Sequence, residues 1–116
     1  MKIEASVILS AVGKKSFIKP IGAAGDLRLR FRIGTKKGHV VEFLVQLELQ
    51  VDGEWKPVVR YDNAHDFPHR DVLDPEGNEI EKKDLNLGTL DEVLEYAEQD
   101  LLDRYEWYVE RFLKMS

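Results

Sequence analysis

Residues 40–55 read Val40-Val41-Glu42-Phe43-Leu44-Val45-Gln46-Leu47-Glu48-Leu49-Gln50-Val51-Asp52-Gly53-Glu54-Trp55. Every odd position from Val41 to Val51 is apolar, while the even ones include Glu42, Gln46, Glu48 and Gln50. Successive side chains of a strand point to opposite faces, so this period of two marks a long half-buried strand with one dry face and one wet face. Asp52-Gly53 then turns the chain. A two-residue turn there would set Leu49 opposite Lys56 and Val45 opposite Arg60, putting cations on the dry face. A three-residue loop over Val51-Asp52-Gly53 instead pairs Gln50 with Glu54, Leu49 with Trp55, Val45 with Val59 and Phe43 with Tyr61. A one-residue slip exchanges the two faces of a strand, so burial selects the three-residue loop.

The same alternation extends outward. Upstream, Leu27, Leu29, Phe31 and Ile33 share one side of a strand over residues 26–33, with Arg28, Arg30 and Arg32 on the other, and Gly34-Thr35-Lys36-Lys37-Gly38 turns into the central strand. Residues 3–9 alternate as a further strand. Residues 10–25 read as a connection; their Gly22-Ala23-Ala24-Gly25 loop lacks the strand-to-helix setting and the Gly-Lys-Ser/Thr of a phosphate loop. Downstream, Asp74-Pro75-Glu76-Gly77-Asn78 predicts a hairpin joining strands near 69–74 and 79–83, with Val72 opposite Ile80. Thr89 with Glu92 three residues on is a capping box, and Leu90, Leu94, Ala97, Leu101, Tyr105, Tyr108 and Phe112 recur at helical spacing after it. The expected fold is therefore α+β: an antiparallel meander sheet of five to six strands, with one long C-terminal helix packed on one face. Residues 1–116 are expected to form a single domain.

Composition narrows the chemistry. With no cysteine in 116 residues, disulfides, thiol nucleophiles and zinc–thiolate sites are excluded. No apolar run approaches the roughly 20 residues that span a bilayer, and the N-terminus lacks a signal-peptide pattern, so no membrane partner and a cytoplasmic location are expected. The net charge of −5 is unevenly distributed. Residues 1–37 hold nine Lys/Arg against two Asp/Glu, residues 38–88 hold five against twelve, and residues 89–116 hold three against eight. The helical segment thus carries the whole net charge. The basic N-terminal third either presents a cationic surface or is neutralised by acidic neighbours.

Two clusters bear functional groups. On the wet face, the three-residue loop would set Arg28 across from Leu44 and Arg60, and Arg30 across from Glu42 and Asp62. Such a face is either a solvated surface of alternating charge or an anion site, where guanidinium groups supply paired donors to phosphate. The second cluster is Arg60-Tyr61-Asp62-Asn63-Ala64-His65-Asp66-Phe67-Pro68-His69-Arg70-Asp71. It ends one strand, forms a loop and begins the next. His65 and His69 suit proton transfer near neutral pH, and Asp62 could orient one of them. Alternatively, Asp62 and Asn63 bond the turn backbone and the histidines are simply exposed. Two histidines four apart converge on a metal only in a helix, which Pro68 opposes, so neither metal nor cofactor is called for. Tyr61 falls on the apolar side, and Trp107 lies off the helix's apolar stripe, as a partner contact or a packing residue.

The run Arg60-Tyr61-Asp62-Asn63-Ala64-His65, followed by Pro68 and His69, resembles the motif of TumE-type toxins of toxin–antitoxin pairs. The Leu-Arg strand, the Glu-bearing strand and the Thr89-Leu90-Asp91-Glu92-Val93-Leu94 helix start fit the same pattern. The resemblance covers residues 27–71 and implies a ribonuclease-type toxin with a cognate antitoxin as partner and RNA as substrate. Joined to the residues read above, it makes His65, His69 and Asp62 the catalytic candidates and Arg28, Arg30, Arg60 and Arg70 the phosphate-binding ones. The competing expectation is a non-catalytic interaction module, such as a homodimer.

Overall fold

The computed structural model describes residues 13–64 and 67–115. Six strands follow one another: β1 (Gly13–Ile21), β2 (Leu27–Lys36), β3 (His39–Val51), β4 (Glu54–Asp62), β5 (His69–Leu73) and β6 (Glu79–Asp84). Each pairs antiparallel with the next, so the sheet order equals the chain order. The helix α1 (Leu90–Lys114) then lies along β3 and β4. This is the expected α+β architecture, but one strand arises from an unexpected segment. The predicted strand at residues 3–9 lies outside the described residues, whereas residues 13–21, read as connection, form β1. The strand was hard to see because it is an edge strand with eight of its nine residues exposed, so it shows little apolar alternation. Pro20 fits there, since an edge strand need not donate every backbone N–H.

The central hairpin corrects the register inferred from sequence. Val51 pairs with Glu54, so Asp52-Gly53 is a two-residue turn with φ of 52° and 81° at its two positions. These left-handed values are the geometry that twists with the strands, and Asp and Gly tolerate it. Leu49 accordingly faces Lys56, the outcome burial was expected to forbid. A β-bulge restores the pattern. Glu48 pairs with Pro57 and Leu47 with Val59, leaving Val58 as the extra residue. Beyond the bulge Val45 faces Tyr61, and the dry face is intact. Val58 itself is 1% exposed. A second bulge between Val72 and Leu73 likewise replaces the expected Val72–Ile80 pair with Val72–Glu81, and Ile80 is exposed.

The helix starts as predicted. Thr89 caps it, its hydroxyl accepting from the Glu92 amide while the Glu92 carboxylate accepts from the Thr89 amide. These bonds hold the Glu92 carboxyl below its usual range, the Thr89 backbone contributing most. Val93, Ala97, Leu101, Tyr108 and Phe112 are buried against Leu29, Val45, Leu47, Val59 and Tyr61. One polar group is buried with them. The Asp100 carboxylate accepts from the Tyr61 hydroxyl at 2.7 Å and from the Tyr108 hydroxyl at 2.6 Å. Burial, reinforced by that shared acceptor, raises both phenols, Tyr108 to about 12. Both tyrosines therefore stay neutral donors across the physiological range.

A candidate anion-binding trough on the open face of the sheet

With α1 on one face, the even-numbered side chains of β2 and β3 cover the other, joined on β4 by Arg60 and Asp62 beyond the bulge and by the odd-numbered Trp55 and Pro57 before it. Their rungs follow from the register. Arg28 pairs with Glu48 and Glu48 with Pro57; Arg30 pairs with Gln46 and Gln46 with Arg60; Arg32 pairs with Leu44 and Leu44 with Asp62. The face is the expected one, but its rungs differ from those inferred with the three-residue loop. Lys36 pairs with His39 across the turn and a bulge follows at Gly34/Thr35, which sets the β2–β3 register, so Arg28 meets Glu48 rather than Leu44, and Arg30 meets Gln46 and, beyond it, Arg60 rather than Glu42 and Asp62.

Glu48 organises this surface. One carboxylate oxygen accepts from Arg28 Nε at 2.6 Å; the other accepts from Arg30 Nε at 3.0 Å and from the Gln46 amide at 2.6 Å. Gln46 in turn accepts from Arg60 Nε at 2.7 Å. Burial alone would raise the Glu48 carboxyl, but the donors Arg28, Gln46 and Arg30 outweigh it and hold it below the usual value. One anion thus braces two guanidiniums directly and a third through Gln46. Each bond uses Nε, so the terminal nitrogens remain as donors. The Arg28 guanidinium also lies over the Trp55 indole, 3.9 Å from its centroid. Arg32 makes no ion pair or side-chain hydrogen bond among the described residues and is exposed.

Arg30, Arg32 and Arg60 stand around an open trough of about 360 Å³, completed by Leu44, Gln46 and Asp62. A neighbouring hollow of about 480 Å³ shares Arg32, Leu44 and Asp62, and continues past Glu42 and Asn63 to Ala64 and Lys14. Asn63 closes that end by imitating a strand residue. Its side chain accepts from the Phe43 amide at 2.9 Å and donates to the Val41 carbonyl at 3.1 Å. Asp62 accepts from the Ala64 amide at 3.1 Å. The turn-bonding expected of Asp62 is thus present, whereas Asn63 bonds the β3 backbone instead of the turn.

The other site candidates separate. His69 does meet Asp62, its Nε2 lying 3.0 Å from Asp62 Oδ1 and 3.4 Å from Asp71 Oδ2. It is not exposed, however, and its Nδ1 donates to the Phe67 carbonyl at 3.2 Å. Both ring nitrogens are engaged and the ring is only 4% exposed, so His69 braces the start of β5 rather than facing a substrate. Burial, aided by Glu79 and Asp62 and opposed by His69 and Lys82, pushes the Asp71 carboxyl up, and its Oδ1 is buried without a partner. Arg70 is a second correction. It pairs with Tyr61 and so lies on the helix side, donating to the Tyr108 hydroxyl at 3.3 Å and to Glu81 at 2.8 Å. Strand alternation makes it face away from Arg60. His65 lies outside the described residues; Ala64 before it lines the neighbouring hollow. Arg32 and Trp55 were absent from the sequence-derived site. Arg32 was legible in the Leu-Arg alternation, whereas the place of Trp55 depended on the two-residue turn that pairs it with Gln50.

The fold and site define a small α+β domain with a cationic, open sheet face. The chain matches over residues 12–116 the family described as "Domain of unknown function (DUF7718)" and belongs to it. No curated protein and no solved structure gives a significant match. Among the described residues no helix is long and apolar enough to cross a membrane, and no group of three or more His, Asp or Glu side chains is arranged to hold a metal ion.

Proposed function

We propose that the chain acts on RNA, binding the phosphodiester backbone on the open face of its sheet and cutting it as a toxin-type ribonuclease. The supporting observation is the set of three guanidiniums, Arg30, Arg32 and Arg60, around one trough with Asp62 at its margin. Guanidinium groups offer planar paired donors to phosphate and stabilise negative charge that develops on it. The acidic helix is no obstacle, because it occupies the opposite face.

In this reading the 2′-hydroxyl of a bound nucleotide attacks the adjacent phosphorus. The bond from O2′ to phosphorus forms as the bond to the 5′-oxygen of the next nucleotide breaks. A base takes the proton from O2′, and the departing 5′-oxygen gains one from an acid or water. His65 is assigned the proton from O2′, since His69 has both nitrogens engaged. Asp62 bonds the amide of Ala64, the residue before His65. A cognate antitoxin would act by covering the trough.

Incubating the protein with several RNAs tests the reading. The expected result is cleavage leaving 2′,3′-cyclic phosphate ends, reduced about 100-fold or more in His65→Ala, the usual weight of a lost general base. Equal cleavage by both proteins, or none by the wild type on any RNA, would overturn it.

A non-catalytic interaction module is the second reading, favoured by the far end of α1. Trp107 is 50% exposed and Leu113 51%, beside a hollow of about 310 Å³ lined by Trp107, Glu110, Arg111, Lys114 and Met115. Light scattering after size exclusion tests it: a strictly monomeric protein without a co-purifying partner would remove its support.

A further inference from the structure

We infer that the open face takes single-stranded RNA, laid along β2 with a footprint of about four nucleotides, an assignment that rests on the RNA reading above. Arg28, Arg30 and Arg32 form one row along β2, two residues apart and so about 6.8 Å from one another. Successive phosphates of an extended strand have a comparable spacing, and three phosphates join four nucleotides. Arg60 stands beside the middle of the row, across Gln46 from Arg30.

What flanks the row favours one strand over two. A duplex presents a second phosphate line across its groove. On the β4–β6 side that line would meet Asp62, Asp71 and Asp84 with only Lys82, the cross-strand partner of Asp71, to offset them, so the carboxylates prevail and repel it. On the β1 side it would meet Pro20, Ile18 and Ser16, the uncharged residues paired with Arg28, Arg30 and Arg32; Lys14, next on that face, lies beyond the row and is engaged by Glu42 at 3.5 Å. The single cationic row therefore selects against a duplex by leaving its second strand unpaired or repelled. At one end of the row the Arg28 guanidinium stacked on Trp55 makes a flat platform of the kind on which unpaired bases stack. At the other end lie Asp62, Asn63 and Ala64, the entry to the His65 loop.

The experiment uses the full chain and 2′-O-methyl oligouridines of two to eight nucleotides, which bind but cannot be cleaved. Affinity is expected to rise up to four nucleotides and then level off. Three phosphate contacts on a single strand correspond to a log–log salt slope of about −2, or roughly a 20-fold loss from 50 to 200 mM salt. Arg32→Gln is expected to reduce that slope by about 0.7. A duplex of 2′-O-methyl RNA should bind at least about tenfold more weakly, and polyglutamate should not compete. Trp55 fluorescence, read in a Trp107→Phe background, should be quenched by the tetramer.

Equal binding of duplex and single strand, affinity that climbs steadily through eight nucleotides, competition by polyglutamate, or an unchanged slope in Arg32→Gln would each overturn this inference and leave the RNA reading standing. Binding that leaves Trp55 fluorescence unchanged would overturn the Trp55 end of the path. Absence of binding to any oligonucleotide at 50 mM salt would overturn both. Circular dichroism showing that Arg32→Gln is folded keeps the comparison valid.

Discussion

The two faces of this sheet each bury a carboxylate among donors, yet they use it differently. Under the helix, buried Asp100 accepts two tyrosine hydroxyls on one oxygen, with Arg104 3.6 Å from the other. On the open face, Glu48 accepts from two arginines and a glutamine at the floor of a surface that solvent reaches. Neutral phenol donors are fully used by their acceptor, so the Asp100 cluster is a closed structural knot. Guanidiniums have five donors each, and Glu48 engages only one nitrogen of each. The open-face anion therefore fixes cations in place while leaving them able to bind another anion. The contrast teaches that burial of a charge on both faces does not imply the same role.

Breaking the closed side should cost most. Asp100→Ala would strand two buried hydroxyls, each worth about 1–3 kcal/mol when unsatisfied, so a loss of about 3 kcal/mol in chemical denaturation is expected. RNA affinity of the folded fraction should not change. A loss below about 1 kcal/mol would show that the hydroxyls find other partners.

Glu48→Gln should cost less, about 1–2 kcal/mol at neutral pH, because charge-assisted bonds are replaced by neutral ones. The effect should depend on pH with a defined sign. The folded protein holds Glu48 below its ordinary value of 4.5. Its contribution is therefore complete above about pH 4.5 and is lost as pH falls through the lower folded value. Asp71, pushed the other way, contributes with the opposite sign. The difference between wild type and Glu48→Gln should shrink in acid, and a difference that stayed constant down to pH 3 would remove Glu48 as its source.

The smallest stability effect is expected for Arg32→Gln, within about 0.5 kcal/mol, as for exposed residues without partners. If unfolding shifted by more than 1 kcal/mol, Arg32 would be a structural residue rather than a free cation of the trough.

Much of this was legible from alternation and caps. The odd-numbered apolar face of β3, the Leu-Arg strand, the Asp74–Asn78 turn and the Thr89 capping box each express a local rule that tertiary context did not override. The helix stripe was nearly right too, although the buried face includes Val93 and Asp100 and leaves Leu90 and Leu94 half-buried. The site was less legible. Arg60 and Asp62 were placed on the correct face by a register that was itself wrong, because both the expected three-residue loop and the observed bulge insert one residue into the hairpin. The choice between them changes the cross-strand partners beyond the bulge by two positions, which keeps the face, and those between turn and bulge by one, which exchanges it. Arg70 and His69 were misjudged because the six-residue loop and the strand after it gave no apolar alternation to orient them.

The sequence by itself determined which residues alternate, where the helix is capped, and that β3 has one dry and one wet face, since these depend on neighbours along the chain. It also determined that the acidic charge resides in the helix. Only the tertiary structure decided the rest. It put a two-residue turn and a bulge at Val58 in place of a longer loop, because Asp52 and Gly53 accept left-handed angles and Val58 and Val59 can both be buried. It gathered Arg30, Arg32, Arg60 and Asp62 into one trough, because cross-strand neighbours are fixed by register. It also enclosed His69 between two carboxylates and a carbonyl, since pairing with β4 and β6 is a property of the assembled sheet.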